Sequence, residues 1–318
     1  MNNKTRRIRI NEDGPREGFQ IESVSIPTAR KVDLINALSG TGLAEIQIAS
    51  FVHPRKVPSM ADAEDIVATV EMVPGVKYTA LYMNARGLER AISTGRLSMD
   101  DLGFNVCASP AFLARNENAT PEARKQRKRQ MIDVARGHGI RPANSGSVSA
   151  AFGCNFQGDI GIDMLLDAVR DVHEFAAEFD CRIDKLGFSD TMAWATPDKI
   201  RRTLDVVYTH YPDVEISLHL HDTRGMAMAN ALAAIDLGVR EFDTSIGGLG
   251  GCPFAAHQGA AGNLCTEDFA FLCEEMGYET GLDLDRLIEA AQLAESIVGH
   301  PLPGKVKSGG SLASYRRR

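Results

Sequence analysis

Residues 215–246 read EISLHLHDTRGMAMANALAAIDLGVREFDTSI. The first six alternate, with Ile216, Leu218 and Leu220 on one face, as a strand does. Residues 227–237 are nearly all small and apolar and suit a tightly packed helix, and 241–246 return to a strand pattern. A strand, a crossover helix and a second strand make a β–α–β unit, which needs parallel pairing. Working outward, the same alternation recurs about eight times. Strand patterns fall at 8–10, 44–49, 78–83, 103–107, 143–149 and 183–188. Helical spacing falls at 29–38 (Val32, Leu34, Ile35, Leu38), 61–73 (Ala63, Ile66, Val67, Val70), 124–135 and 162–179 (Leu165, Leu166, Val169, Val172, Phe175). Eight such units point to a closed (β/α)8 TIM barrel. An open doubly wound sheet lacks its usual sign, a GxGxxG turn after the first strand. The chain is then a single domain, 1–318, with the barrel over roughly 6–265. Additional C-terminal helices are expected at 266–276 and 284–298, and 301–318, with Ser308-Gly309-Gly310, as a flexible tail.

The 318 residues are 44% hydrophobic and 24% charged, enough for one barrel of roughly 250 residues plus extensions. The formal net charge of −7, with no long basic run, argues against nucleic acid as a partner. Six cysteines without a CxxC pair read as reduced thiols. No apolar run reaches the roughly 20 residues of a membrane span, and residues 1–9 are polar and basic with no apolar signal core, so the expected location is cytoplasmic.

Barrel enzymes carry their chemistry at the C-terminal ends of the strands. His219 and His221, two apart on a strand, share a face and look into the barrel mouth. Two imidazoles with oxygen donors suit a divalent cation; one packed and one hydrogen-bonded histidine is the plain alternative, and Asp222 after His221 favours the ligand reading. Glu17, beside Arg16 in the Gly14–Gly18 turn, offers a carboxylate, and Asn263 an amide oxygen; a surface ion pair and a turn residue are the competing readings. Four glycines within 247–251 end in Cys252, a thiol that a mobile loop could carry over a site.

These motifs resemble the 3-hydroxy-3-methylglutaryl-CoA lyase family, over roughly residues 12–276. The resemblance is carried by Gly14-Pro15-Arg16-Glu17-Gly18-Phe19-Gln20, Ser50-Phe51-Val52-His53-Pro54, Met60-Ala61-Asp62-Ala63-Glu64, Asp190-Thr191 with Thr196-Pro197, His219-x-His221-Asp222-Thr223, Gly248-Leu249-Gly250-Gly251-Cys252-Pro253 and Gly262-Asn263. It implies a retro-Claisen carbon–carbon lyase acting on an acyl-CoA, with acetyl-CoA as product. Glu17, His219, His221 and Asn263 would hold a divalent metal, Mg²⁺ or Mn²⁺ with Zn²⁺ as an alternative. Arg16 would stabilise the enolate oxygen and Cys252 would close over the site. Gln47, Asp190 and His219 join the catalytic set; Gln20, Thr191 and Trp194 line the substrate. A homodimer is also implied.

Two positions depart from that pattern. Glu17 stands where the family has aspartate, and Gln47 where it has a glutamate near the arginine. Ala193-Trp194-Ala195 replaces glycines, which sets the only tryptophan at the rim or packs it under a loop. About two extra residues fall between Cys252 and Asn263. Three other readings compete with cleavage of 3-hydroxy-3-methylglutaryl-CoA: the same cleavage of another hydroxyacyl-CoA such as citramalyl-CoA, a condensing enzyme, and a non-catalytic metabolite-binding relative.

Overall fold

A computed structural model describes residues 6–22, 26–250 and 262–316. Eight parallel strands form one curled sheet: β1 (Arg9–Glu12), β2 (Glu45–Ser50), β3 (Lys77–Leu81), β4 (Phe104–Cys107), β5 (Ser145–Ser149), β6 (Lys185–Asp190), β7 (Glu215–Leu220) and β8 (Glu241–Thr244). The ladder runs β3-β2-β1-β8-β7-β6-β5-β4. β1 and β8, the first and last strands, pair with Arg9 opposite Glu241. No backbone ladder joins β3 to β4 among the described residues. There the approach to β4 lies against β3 instead, with Ser98 N–H donating to Tyr78 O at 2.8 Å and the Tyr82 hydroxyl to Asp101 at 3.1 Å.

Around the strands lie α1 (Thr28–Ser39), α2 (Ala63–Thr69), α3 (Ala85–Ser93), α4 (Pro110–Glu117), α5 (Pro121–Gly137), α6 (Ile162–Ala177), α7 (Pro197–His210), α8 (Ala227–Asp236) and α9 (Thr266–Glu275), with α10 (Leu284–Val298) beyond them. Three of these, α3, α4 and α7, start at places the sequence suggested were loops or left unassigned. Their starts carry cap chemistry: Asn84, Ser109 and Thr196 each accept a backbone N–H three residues on. Ser109 and Thr196 are each followed by proline at the first helical position. Helix α2 is shorter than the expected 61–73, because Val70 turns extended (ψ 136°) ahead of Pro74-Gly75.

The apolar core lies between sheet and helices. Ile46, Ile48, Val148, Leu186, Phe188, Leu218 and Phe242 face outward onto the helices and are buried. Phe104 meets Phe175 of α6 edge-on at 5.4 Å. A β-carbon at Gly146 would lie 2.2 Å from Val172 Cγ1, so the glycine lets α6 close on β5.

The barrel lumen differs from the branched apolar layers that usually fill such barrels. Arg9, Asn11, Glu45, Lys77, Lys185, Glu241 and Asp243 occupy it in a connected ionic network. Arg9 pairs with Glu45 at 2.7 Å, Lys77 with Glu45 at 3.5 Å, and Lys185 with Glu241. Within the stretch expected as a flexible tail, residues 302–306 are packed. Leu302 and Val306 are buried, and Asp268 accepts the N–H groups of Lys305 and Val306 at 2.9 and 2.7 Å. No helix among the described residues is long and apolar enough to cross a membrane.

Candidate active site

Glu12, the last residue of β1, shapes the first turn. It sits on the helix-facing side of the strand with Ile8 and Ile10 and is fully buried. One carboxyl oxygen accepts Gly14 N–H at 2.7 Å and Ile246 N–H at 2.9 Å, and the other accepts the Thr266 hydroxyl at 2.6 Å. A single buried side chain thus ties the ends of β1 and β8 to the start of α9. Burial pushes its pKa up to about 8. Gly14 is required beside it, since a β-carbon there would lie 2.5 Å from Glu12 Oε1. The chain then winds one π-helical turn, Gly14–Gly18, a geometry frequent at functional sites.

That turn sets Arg16 and Glu17 over the barrel mouth. Glu17 Oε1 lies 3.2 Å from His221 Nε2, and Glu17 Oε2 lies 3.5 Å from His219 Nε2. The two Nε2 atoms are 3.1 Å apart. Segment 262–264 threads between β7 and the glycine turn, with Asp222 N–H donating to Gly262 O and Asn263 N–H to Leu249 O. The Asn263 amide nitrogen donates to Ser245 Oγ at 3.1 Å, so its Oδ1 is the free end. That oxygen is buried without a hydrogen-bond partner among the described residues. Gly250 (φ +99°) spans the gap: a β-carbon there would lie 3.3 Å from both Asn263 Cγ and Glu17 Cγ.

The expected ligands therefore come together. Glu17, His219 and His221 offer donor atoms within 4.8 Å of one another. An orphaned amide oxygen, a carboxylate and two imidazoles fit a divalent cation that accepts nitrogen and oxygen donors. The electrostatics agree. Burial opposes charge on Glu17, but Arg16 and the two histidines outweigh it and hold the carboxyl well below its usual range. Burial likewise opposes charge on His219, but Glu17, Asp13 and Asp243 outweigh it and hold a proton on the ring well above the usual range. A dication would meet the same negative field and replace that proton.

Arg16 lies beside the cluster. Its Nε donates to Gln47 Oε1, and its Nη2 lies 3.1 Å from Glu17 Oε2. The β2–β3 register shifts between Gln47 and Ala49, a bulge of the sort that re-aims side chains next to active sites.

Other expected residues support the site's frame. Asp190 accepts Trp194 N–H at 2.7 Å and Ala195 N–H at 3.1 Å, so its carboxylate fixes the turn after β6. Thr191 Oγ1 accepts Ala150 N–H at 2.9 Å and links that turn to β5. Trp194 packs against Gly153, where a β-carbon would lie 2.7 Å from its ring, and donates to Asn155 at 2.8 Å. Gln20 Oε1 is buried without a partner among the described residues. Cys252 and the insertion at 255–258 lie outside the described residues. Asp13 and Asp243 were not among the expected residues, yet both face His219 Nδ1, at 3.5 and 3.4 Å. A polar residue at every second position of β1 and β8, the lumen side, was the available signal.

Comparison with known proteins agrees with this geometry. The HMGL-like family model matches residues 7–294. The hydroxymethylglutaryl-CoA lyase of Bacillus subtilis is 35% identical over 94% of this chain and 96% of its own length. The cytoplasmic 3-hydroxy-3-methylglutaryl-CoA lyase of Rattus norvegicus is 36% identical over 98% of this chain and 86% of its own. An HMG-CoA lyase from Acinetobacter baumannii, solved with coenzyme A and 3-methylmalate, superposes with a TM-score of 0.86 at 32% identity, covering 98% of both chains. With one family model spanning nearly the whole barrel and relatives aligned end to end, the chain belongs to the HMGL-like family.

Proposed function

We propose that the protein is a divalent-metal-dependent carbon–carbon lyase that cleaves 3-hydroxy-3-methylglutaryl-CoA, or a close analogue, to acetyl-CoA and acetoacetate. The convergence of Glu17, His219, His221 and the unpartnered Asn263 oxygen beside Arg16 carries this reading. A bound cation would polarise the substrate's hydroxyl and carboxylate oxygens and lower the hydroxyl pKa. We take it to be Mg²⁺ or Mn²⁺, with Zn²⁺ the alternative that two imidazoles would also suit.

In the cleavage the hydroxyl passes its proton to solvent water, the C2–C3 bond breaks and C3–O becomes a ketone. The bond's electrons pass to the thioester enolate, which then takes a proton at C2. Arg16 is assigned to the thioester oxygen, where its charge stabilises the enolate as it forms. Gln47, bonded to Arg16 Nε, fixes the plane of the guanidinium. Cys252 is assigned to closure of the site and delivery of the final proton. Gln20, Thr191 and Trp194 are assigned to the substrate's acyl side, and Asp190 to holding the turn they share. We propose a homodimer on the resemblance alone and a cytoplasmic location on the sequence reading.

The test is acetyl-CoA release from 3-hydroxy-3-methylglutaryl-CoA with Mg²⁺ or Mn²⁺, with and without chelator. Chelator-sensitive release is expected; release unaffected by chelator sinks the metal assignment. A second reading, the same chemistry on another hydroxyacyl-CoA such as citramalyl-CoA, is favoured by Glu17 and Gln47, which alter reach and charge at Arg16. A higher kcat/KM for citramalyl-CoA would select it.

A further inference from the structure

Arg16 and His219 share one carboxylate oxygen that neither the ligand set nor the substrate contacts explain. Asp13 Oδ2 lies 3.6 Å from Arg16 Nη2 and 3.5 Å from His219 Nδ1. Asp13 is buried, and its backbone N–H is anchored on Thr244 O at 2.8 Å. His219 Nδ1 already has a second carboxylate, Asp243 Oδ2 at 3.4 Å. Asp243 is itself held from behind, since Asn11 Nδ2 donates to its Oδ1 at 3.1 Å and also to Glu241 Oε1 at 2.9 Å. One carboxylate suffices to fix the tautomer and orientation of a metal-binding imidazole. The second is aimed differently, at the gap between ring and guanidinium.

The anionic partners of Arg16 point to its use. Gln47 holds Nε but carries no charge, and Glu17 is the other carboxylate within reach of Nη2, at 3.1 Å. Glu17 belongs to the donor set for the cation, so its charge cannot serve Arg16 in full at the same time.

We propose that Asp13 is a positioning residue that serves as the standing counter-ion of Arg16 and, through the same oxygen, couples the arginine to the metal-binding imidazole of His219. The inference rests on the functional reading above but makes a separate claim about metal affinity. Moving the negative charge from the Asp13 side of Arg16 to the Gln47 side should restore the arginine's placement without restoring the imidazole's partner.

The test uses the full chain and four proteins: parent, Asp13→Asn, Asp13→Glu and Asp13→Asn combined with Gln47→Glu. Mn²⁺ affinity is measured by calorimetry and, separately, kcat and KM on 3-hydroxy-3-methylglutaryl-CoA, with thermal melting as the check on folding. Asp13→Asn should weaken Mn²⁺ about tenfold and lower kcat about as much, with KM less affected. Asp13→Glu, which keeps the charge, should stay within about threefold of the parent in Mn²⁺ affinity. Adding Gln47→Glu to Asp13→Asn should bring kcat back most of the way while Mn²⁺ stays weakened. Unchanged Mn²⁺ affinity in Asp13→Asn, equal losses in Asp13→Asn and Asp13→Glu, or no recovery of kcat in the double variant each overturns the proposal. If the parent does not turn over this thioester, the Mn²⁺ measurements alone decide it, because they do not depend on the substrate assignment.

Discussion

His219 Nε2 and His221 Nε2 face each other at 3.1 Å, on the same side of β7, with the two oxygens of Glu17 opposite them. Two ring nitrogens aimed at one point and closed off by a carboxylate make a chelating geometry rather than a packing one. His221→Ala and Asn263→Ala should each weaken Mn²⁺ by more than the 10–100-fold that loss of an outer partner costs. Calorimetric titration checks this; Mn²⁺ affinity unchanged in both variants would show the cation sits elsewhere.

Arg16 touches both of the positions that depart from the family pattern, Glu17 and Gln47. Substitutions at groups sharing one partner couple by about 0.5–3 kcal/mol. Glu17→Asp, Gln47→Glu and the double variant should therefore be non-additive in kcat/KM, with the double variant more active than the product of the single effects predicts. Additivity within error in that cycle would show that the two changes are independent.

Gly250 occupies the gap between Asn263 and Glu17 with φ +99°. Gly250→Ala adds backbone strain of about 1 kcal/mol and a methyl group in contact with both. Mn²⁺ binding should suffer far more than stability. A melting temperature lowered by a few degrees, with metal affinity intact, would contradict the placement of Gly250 in the site.

Glu12 makes stability depend on pH in a defined direction. Burial raises its pKa from 4.5 to about 8. Between those values the folded chain keeps a proton that the unfolded chain releases. The native state thus binds more protons, and stability falls as pH rises, by about 1.4 kcal/mol per pH unit at most. The loss is complete above the folded pKa. Glu267, raised by burial to about 7, adds a similar slope over the lower part of this window. Glu12→Gln imitates the protonated form: its oxygen can accept Gly14 and Ile246 N–H while its amide donates to Thr266 Oγ. Urea unfolding at pH 5 to 8.5 should show a shallower pH slope for Glu12→Gln than for the parent. Identical slopes would assign the pH dependence to other groups.

Much of the fold was legible because strands and helices leave different periods. β7 ends where the alternation at 215–220 ends, and α10 spans the expected 284–298. The cluster of Glu17, His219 and His221 was legible because the two histidines obey that same alternation and Glu17 follows the first strand. What escaped had weaker local signals. The helices α4 and α7 open on Ser109-Pro110 and Thr196-Pro197, pairs that serve loops as readily as helix starts. The ionic lumen was hidden because its residues, Arg9, Asn11, Glu241 and Asp243 among them, look like surface positions until the sheet curls and points them at one another. Asp13 was missed for the same reason, since its partner His219 lies on the far side of the sequence.

The pairing of β1 with β8 has a consequence for how the chain acquires its site during synthesis. Glu17 and His221 are 204 positions apart, and Glu12 takes its hydroxyl partner, Thr266, from 254 positions away. While the first seven strands emerge from a ribosome, the turn bearing Arg16 and Glu17 has β2 beside it but neither β8 nor its anchor at Thr266. On the proposed assignment, metal capture would wait until residues past Thr266 are free to fold. A cation that binds only the finished barrel then rewards completion, stabilising whole chains in proportion to its free concentration and leaving prematurely ended ones to unfold.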